Sequence, residues 1–136
     1  MILDTSVLIG AERRSIDFEA LLDALGDEPV SMAAITAAEL LHGCARADDP
    51  GTRARRAAFA EALLTLVPVR LFGLPEARRH AELWAGLARE GALIGPHDMI
   101  IAATALAAGA GLATLNVREF GRVPGLRLVP LDSAGR

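Results

Sequence analysis

Lysine and tyrosine are absent from these 136 residues, and cysteine occurs once, at Cys44. One cysteine excludes an internal disulfide. His42, His80 and His97 have neither cysteine partners nor the i, i+4 spacing of a zinc site. Without lysine there is no phosphate loop of the Gly-x-x-x-x-Gly-Lys type. The same absence counts against a receiver-like domain using Asp4 as phospho-acceptor, which needs a lysine near the phosphate. A nucleophilic serine is equally unsupported, because Ser6 has no Gly-x-Ser-x-Gly context. Aromatic residues make up only 4%, so the core has to be Leu, Ala, Val and Ile. No apolar run approaches the ~20 residues of a membrane span. No basic stretch precedes the apolar start, so no signal peptide is expected, and the cytoplasm is the expected compartment. A net charge of −3 is not that of a bulk nucleic-acid binder.

What is present is a chain 52% hydrophobic, of a length that fits one domain over 1–136. All basic residues are Arg, with Arg46, Arg53, Arg55 and Arg56 close together and Arg78-Arg79 as a second pair. Arg suits bidentate phosphate contacts, although a solvated helix face accounts for any one of them.

Strand-like and helix-like stretches alternate. A short apolar run leads into Asp4 and then a helical turn to Ala11. A helix over 16–25 has apolar positions 18, 21, 22 and 25 on one face and stops at Gly26. A strand at 30–33 precedes a helix that Thr36 would cap. The segment 45–52 reads as a loop, with Thr52 capping a helix over about 53–66. Pro68 makes 67–71 an edge strand. The helix from Pro75 to about residue 90 is expected to bury 77, 81, 84, 87 and 88, with Trp84 in the core. Pro96 opens a helix over 97–108, apolar almost all round and therefore buried. A strand at 112–115, a loop at 116–125 and a strand at 126–131 follow. This alternation predicts an α/β fold with a parallel sheet and helices on both faces.

Four carboxylates fall after strand ends or at helix starts: Asp4, Glu39, Asp98 and Glu119, the last beside Asn116. In a doubly wound sheet those ends share one edge. Each has a plainer reading: Thr36 to Glu39 spells a capping box, Asp98 complements a helix dipole, Asp4 caps a turn, and Glu119 is a solvated loop residue. Together they point to convergence. Facing carboxylates stay ionised together only when cations neutralise them, and oxygen-only donors suit Mg²⁺ or Mn²⁺.

Four blocks carry a family resemblance: Ile2-Leu3-Asp4-Thr5-Ser6-Val7-Leu8-Ile9, Ala34-Ile35-Thr36-Ala37-Ala38-Glu39-Leu40-Leu41-His42-Gly43, Pro96-His97-Asp98-Met99-Ile100-Ile101-Ala102-Ala103, and Leu115-Asn116-Val117-Arg118-Glu119-Phe120-Gly121. In this order they resemble the PIN domain and, more narrowly, the VapC toxins of bacterial toxin–antitoxin pairs, over essentially the whole chain. The resemblance implies a three-layer α/β/α domain with a central, mostly parallel sheet. It implies a Mg²⁺- or Mn²⁺-dependent endoribonuclease toxin acting on single-stranded regions of transfer or ribosomal RNA. By position it makes Asp4, Glu39 and Asp98 the core acidic ligands, with Glu39 toward a second metal. Glu119 or Asn116 takes the fourth place, and Thr5 or Ser6 and Thr114 are supporting hydroxyls. Arg46, Arg53 and Arg118 are candidates for RNA contact. The implied partners are a second copy of the chain and a VapB-type antitoxin, in a heterotetramer or larger assembly. The apolar stripes at 35–44 and 53–66 are either the antitoxin groove or core. An alternative is a PIN-like module that binds RNA or protein without cutting, favoured by the amide at Asn116.

Overall fold

Successive strand residues point to opposite faces of a sheet, and here each face meets its own core. In the computed structural model, which describes residues 1–129 and 131, β1 (Ile2–Leu3), β2 (Met32–Ala33) and β4 (Leu112–Ala113) carry the pattern. Leu3, Met32 and Ala113 belong to one apolar cluster, with Val7, Leu8, Leu21, Leu40, Leu63 and Val67. Ile2, Ala33 and Leu112 belong to the other, with Leu83, Leu87, Met99, Ile101 and Phe120. The first cluster draws on α1 (Thr5–Glu12), α2 (Phe18–Leu25), α3 (Ala34–Arg46) and α4 (Pro50–Leu66). The second draws on α5 (Leu74–Arg89), α6 (Pro96–Ala108) and α7 (Val117–Phe120). Helices thus cover both faces, which gives the expected three layers.

The sheet is parallel throughout the described residues. β4 lies between β1 and β5 (Leu128–Val129), and β2 pairs with β3 (Val69–Arg70). A bridge between Ile2 and Ser31, with the Leu3 N–H donating to Ser31 O at 2.8 Å, joins the two sets. The resulting order is β3-β2-β1-β4-β5. It reverses between β1 and β4, and such a switch point leaves a crevice beyond the strand ends. β3 is an edge, as Pro68 indicated, and both its residues are exposed. Among the described residues no helix is long and apolar enough to cross a membrane.

Local differences from the sequence reading have physical causes. α3 begins at Ala34, two residues before Thr36, so Thr36 is a buried helix residue and not a cap. α4 begins at Pro50 because proline is favoured in a first turn; Asp49 is the cap, accepting from the Thr52 N–H at 2.8 Å. The four-residue α7 interrupts the expected loop at 116–125. The last strand covers Leu128–Val129 only, and position 130 lies outside the described residues. Trp84 is not core: it is 56% exposed, while α5 buries Leu83 and Leu87. Ala81 and Ala88 entered the expected stripe at equal weight, yet alanine buries little area, and the large residues at 83 and 87 set the rotation. Trp84 instead meets His80 edge-on, as His80 meets Phe72.

The apolar stripes of α3 and α4 are mostly core, with Leu40, Cys44, Ala60 and Leu63 buried, while Leu41 and Leu66 face outward.

Candidate active site

The crevice at the switch point begins with Asp4. Its backbone N–H donates to Ala113 O at 2.9 Å, which places the residue immediately beyond the β1–β4 pairing. Asp4 is 3% exposed and stands at the N-cap position of α1, but its side chain caps nothing. Instead Oδ2 accepts from Ser6 Oγ at 2.6 Å and from Thr114 Oγ1 at 2.7 Å. Those hydroxyls are themselves aimed by the backbone: the Leu115 N–H donates to Ser6 Oγ at 3.1 Å and the Asn116 N–H to Thr114 Oγ1 at 2.9 Å. Two peptide groups after β4 therefore orient the carboxylate after β1 through two hydroxyl relays.

Glu39 approaches from the second turn of α3. A capping box is impossible there, since Glu39 is the sixth residue of the helix. Thr5 Oγ1 donates to Glu39 Oε1 at 2.8 Å, and Thr36 Oγ1 lies 3.1 Å from the same hydroxyl. The two hydroxyls after Asp4 thus divide their work, Ser6 serving Asp4 and Thr5 serving Glu39. His97 Nδ1 is 3.4 Å from Glu39 Oε2 and half exposed at the mouth.

Asp98, in the first turn of α6, has its pKa pushed up to about 7. Burial is the largest cause, followed by the hydrogen bond shared with Glu119 and then the charges of Asp4, Glu119 and Glu39. Glu119, on α7, is held below the usual range by the Gly95 N–H, which donates to Oε1 at 2.6 Å, and by Asn116 Nδ2, which donates to Oε2 at 2.7 Å. Asn116 Nδ2 also lies 3.5 Å from Asp98 Oδ2. The four carboxylates and the amide therefore meet in one cleft.

The donor set is all oxygen, and its mutual repulsion is what a hard cation relieves. Among the described residues no three His, Cys, Asp or Glu side chains stand close enough to form a complete metal shell. Mg²⁺ commonly keeps several waters and takes only one or two carboxylates directly, so it does not require three such side chains.

Of the arginines singled out by sequence, Arg53 is committed to the α3–α4 turn, donating to Ala47 O through Nε at 3.0 Å and a terminal nitrogen at 2.8 Å. Arg46 and Arg118 are exposed. Sequence reasoning gave His97 no part in the site, read Thr36 as a helix cap, and missed the Gly95 N–H. Gly95-Pro96 was legible as a turn; that its N–H faces an acid 24 residues later was not. A cavity of about 210 Å³ beside Leu83, Leu87 and Leu106 lies away from this cleft and gathers no comparable chemistry.

Residues 1–126 match the PIN domain model. The chain is 35% identical over 133 residues to ribonuclease VapC1 of Rickettsia felis, covering 98% of this chain and 97% of the relative. It is 32% identical over 104 residues to the tRNA(fMet)-specific endonuclease VapC of Salmonella typhimurium, covering 76% of each. The structure superposes on DNA-bound VapBC from Salmonella typhimurium with a TM-score of 0.85 and 28% identity, covering 94% of this chain and 95% of that one.

Proposed function

Because the chain belongs to the PIN-domain family, we propose that it is a VapC-type endoribonuclease toxin, a single PIN domain over 1–136 that hydrolyses phosphodiesters in single-stranded regions of transfer or ribosomal RNA. The observation that carries the reading is the convergence of Asp4, Glu39, Asp98 and Glu119 at the switch point, with Asp98 pushed up to about 7 by burial and by the other acids. The names of its relatives, ribonuclease and tRNA(fMet)-specific endonuclease, agree with it.

Asp4 and Asp98 would hold a Mg²⁺ or Mn²⁺ ion, with Glu39 toward a second position. Glu119 closes the ring, with Asn116 as a neutral ligand or anchor. When bound, such a cation acidifies water and offsets negative charge on the phosphate. The chain's own groups do the aiming. Ser6 and Thr114 fix Asp4 Oδ2, Thr5 fixes Glu39 Oε1 and His97 stands beside Oε2, and Asp98 or Glu39 orients an attacking water. Arg46 and Arg118, both exposed, offer phosphate contacts. We assign the protein to the cytoplasm as a homodimer that a VapB-type antitoxin inhibits, in a heterotetramer or larger assembly.

The test is Asp4→Asn. The amide oxygen still accepts from Ser6 and Thr114, so the fold is retained, while Mg²⁺- or Mn²⁺-dependent RNA cleavage and growth arrest are lost. An Asp4→Asn protein that cuts as fast as its parent removes Asp4 from the reaction. The second reading, a binding module without activity, rests on Asn116, an amide at one of the two candidates for the fourth acidic place. Titration of the parent protein with either metal, without cleavage of any RNA offered, would establish that reading instead.

A further inference from the structure

We infer that His97 reads the 2′-hydroxyl of a ribose bound at the mouth of the cleft, and so makes the site selective for RNA over DNA. This deepens the ribonuclease reading and rests on it. The carboxylates, and the cation they would hold, act on a phosphodiester and on water. Both are the same in RNA and DNA, so the acidic set does not tell one from the other. A contact to the 2′-hydroxyl does.

Few groups in the cleft are free to make that contact. The Ser6 and Thr114 hydroxyls donate to Asp4 Oδ2, and the Thr5 hydroxyl donates to Glu39 Oε1. Asn116 Nδ2 is engaged with Glu119 Oε2 at 2.7 Å. His97 differs from these. Its Nδ1 stands 3.4 Å from Glu39 Oε2, and the side chain is 57% exposed. Nε2, on the other side of the ring, makes no hydrogen bond among the described residues.

The fold holds the ring in this place. His97 leaves the first turn of α6 one residue before Asp98, yet it meets the glutamate of α3, so it spans the mouth between the two. Pro96 stiffens the backbone before it, and the Gly95 N–H is tied to Glu119 Oε1 at 2.6 Å. A ring steadied through one nitrogen presents the other at little cost in entropy. A ribose hydroxyl both donates and accepts, so it pairs with Nε2 whichever ring nitrogen carries the hydrogen. A phosphate oxygen only accepts, and it pairs with Nε2 only when Nε2 carries the hydrogen.

The experiment measures binding in the Asp4→Asn background, where RNA survives, with Mg²⁺ present and fluorescently labelled oligouridines of about four nucleotides, short enough to report on the cleft. Probes with ribose, 2′-deoxyribose and 2′-fluororibose are compared, the last keeping the sugar pucker of RNA without the hydroxyl. The ribose probe should bind about fivefold tighter than the other two, the scale of one net hydrogen bond. His97→Phe keeps a ring, and it should bring all the probes within about twofold by weakening the ribose probe alone. His97→Gln sets an amide near the place of Nε2 and should keep the preference. His97→Asn sets one near the place of Nδ1 and should lose it. No preference for ribose in the Asp4→Asn protein would overturn the inference, as would a preference intact in His97→Phe. So would the reverse order, Asn keeping the preference and Gln losing it, for His97 would then only position Glu39. Equal weakening of every probe, the sign of a phosphate or base contact, would overturn it too. Cleavage by the parent protein is scored separately. Parent protein that cuts RNA, beside a His97→Phe variant with unchanged preference, sinks the His97 contact alone; parent protein that never cuts sinks the ribonuclease reading.

Discussion

On one wall of the cleft Asp4 and Glu39 each lean on hydroxyls; on the other, Asp98 and Glu119 lean on each other. The first wall is assembled from strand ends and from helix residues packed against the core, and neutral donors fix its geometry. The second comes from the first turn of α6 and from the short α7, and its acids shift in opposite directions, Asp98 raised and Glu119 lowered. A site of this kind presents fixed acceptors on one side and, on the other, a carboxyl whose proton an arriving cation can displace. Differences between the walls are therefore expected in pH response and in tolerance of substitution.

The largest effect is expected where the two walls should not differ. Asp98→Asn and Glu39→Gln should each lower metal-dependent RNA cleavage by at least about 100-fold, the scale of losing one preorganised charge at a reacting phosphate. Cleavage of a labelled RNA at saturating Mg²⁺ measures this. If either variant keeps more than about a tenth of the parent rate, that wall is not part of the catalytic centre.

Stability against pH should separate them. Asp98 has a folded-state pKa of about 7 against an ordinary value of 3.8. The unfolded chain therefore loses its proton first as pH rises. Asp98's contribution is complete below about pH 4 and is lost by about pH 7. Metal-free protein should be less stable at pH 8 than at pH 5 by about 1–2 kcal/mol, once solvent screening at this half-open site is allowed for, or a few degrees in Tm. Asp98→Asn should flatten that slope, and Mg²⁺ should stabilise the parent more at pH 8 than at pH 5. Glu119, with its pKa lowered from 4.5, acts in the opposite sense and only in acid, losing its contribution as pH falls below that value. Melting curves at a series of pH values, with and without Mg²⁺, test the assignment; an equal slope in Asp98→Asn protein removes it.

The first wall was more legible in the sequence than the second. Asp4 after an apolar run is a local pattern, and so is the βαβ alternation that predicted the parallel sheet. Proline and glycine marked the start of α6 and the edge position of β3 for local reasons as well. What escaped depended on distance along the chain. The Gly95 N–H meets Glu119 only because the turn before α6 packs against α7. Thr36 reads as a cap from its neighbours, and only the tertiary position of Thr5 makes it part of the Glu39 support. Trp84 failed for another reason. A helix with alanine on several sides has no unique apolar stripe in sequence, and packing of Leu83 and Leu87 against the second core chose the rotation. Asp98 and Glu119 were read from their places at a helix start and after a strand, and the family resemblance left the fourth place between Glu119 and Asn116.

A smaller effect should follow from cutting the supports of the first wall. Thr5→Val removes the donor to Glu39 Oε1, and Ser6→Ala removes one of two donors to Asp4 Oδ2. Each should cost about 1 kcal/mol of stability, the usual net worth of such a bond, and lower cleavage about tenfold by loosening one carboxylate. Thr5→Ser, which keeps the hydroxyl, should recover most of the activity. Rates unchanged in Thr5→Val protein would show that Glu39 is held by other contacts, and the wall would then resemble its partner more closely than the hydrogen bonds suggest.

The smallest effect is expected at Glu119→Gln. The amide oxygen still accepts from the Gly95 N–H, so the turn before α6 stays in place. What is lost is one charge on the more open wall, and its loss lowers the penalty on ionising Asp98. Those changes oppose each other, and cleavage should fall only about three- to tenfold, with a modest rise in the Mg²⁺ needed for half-maximal rate. Glu119→Ala should do worse, because it also strands the Gly95 N–H and leaves Asn116 Nδ2 without its shorter partner. A Gln variant as inactive as Asp98→Asn would mean that the charge at 119 is itself required, and the second wall would then be as rigidly specified as the first.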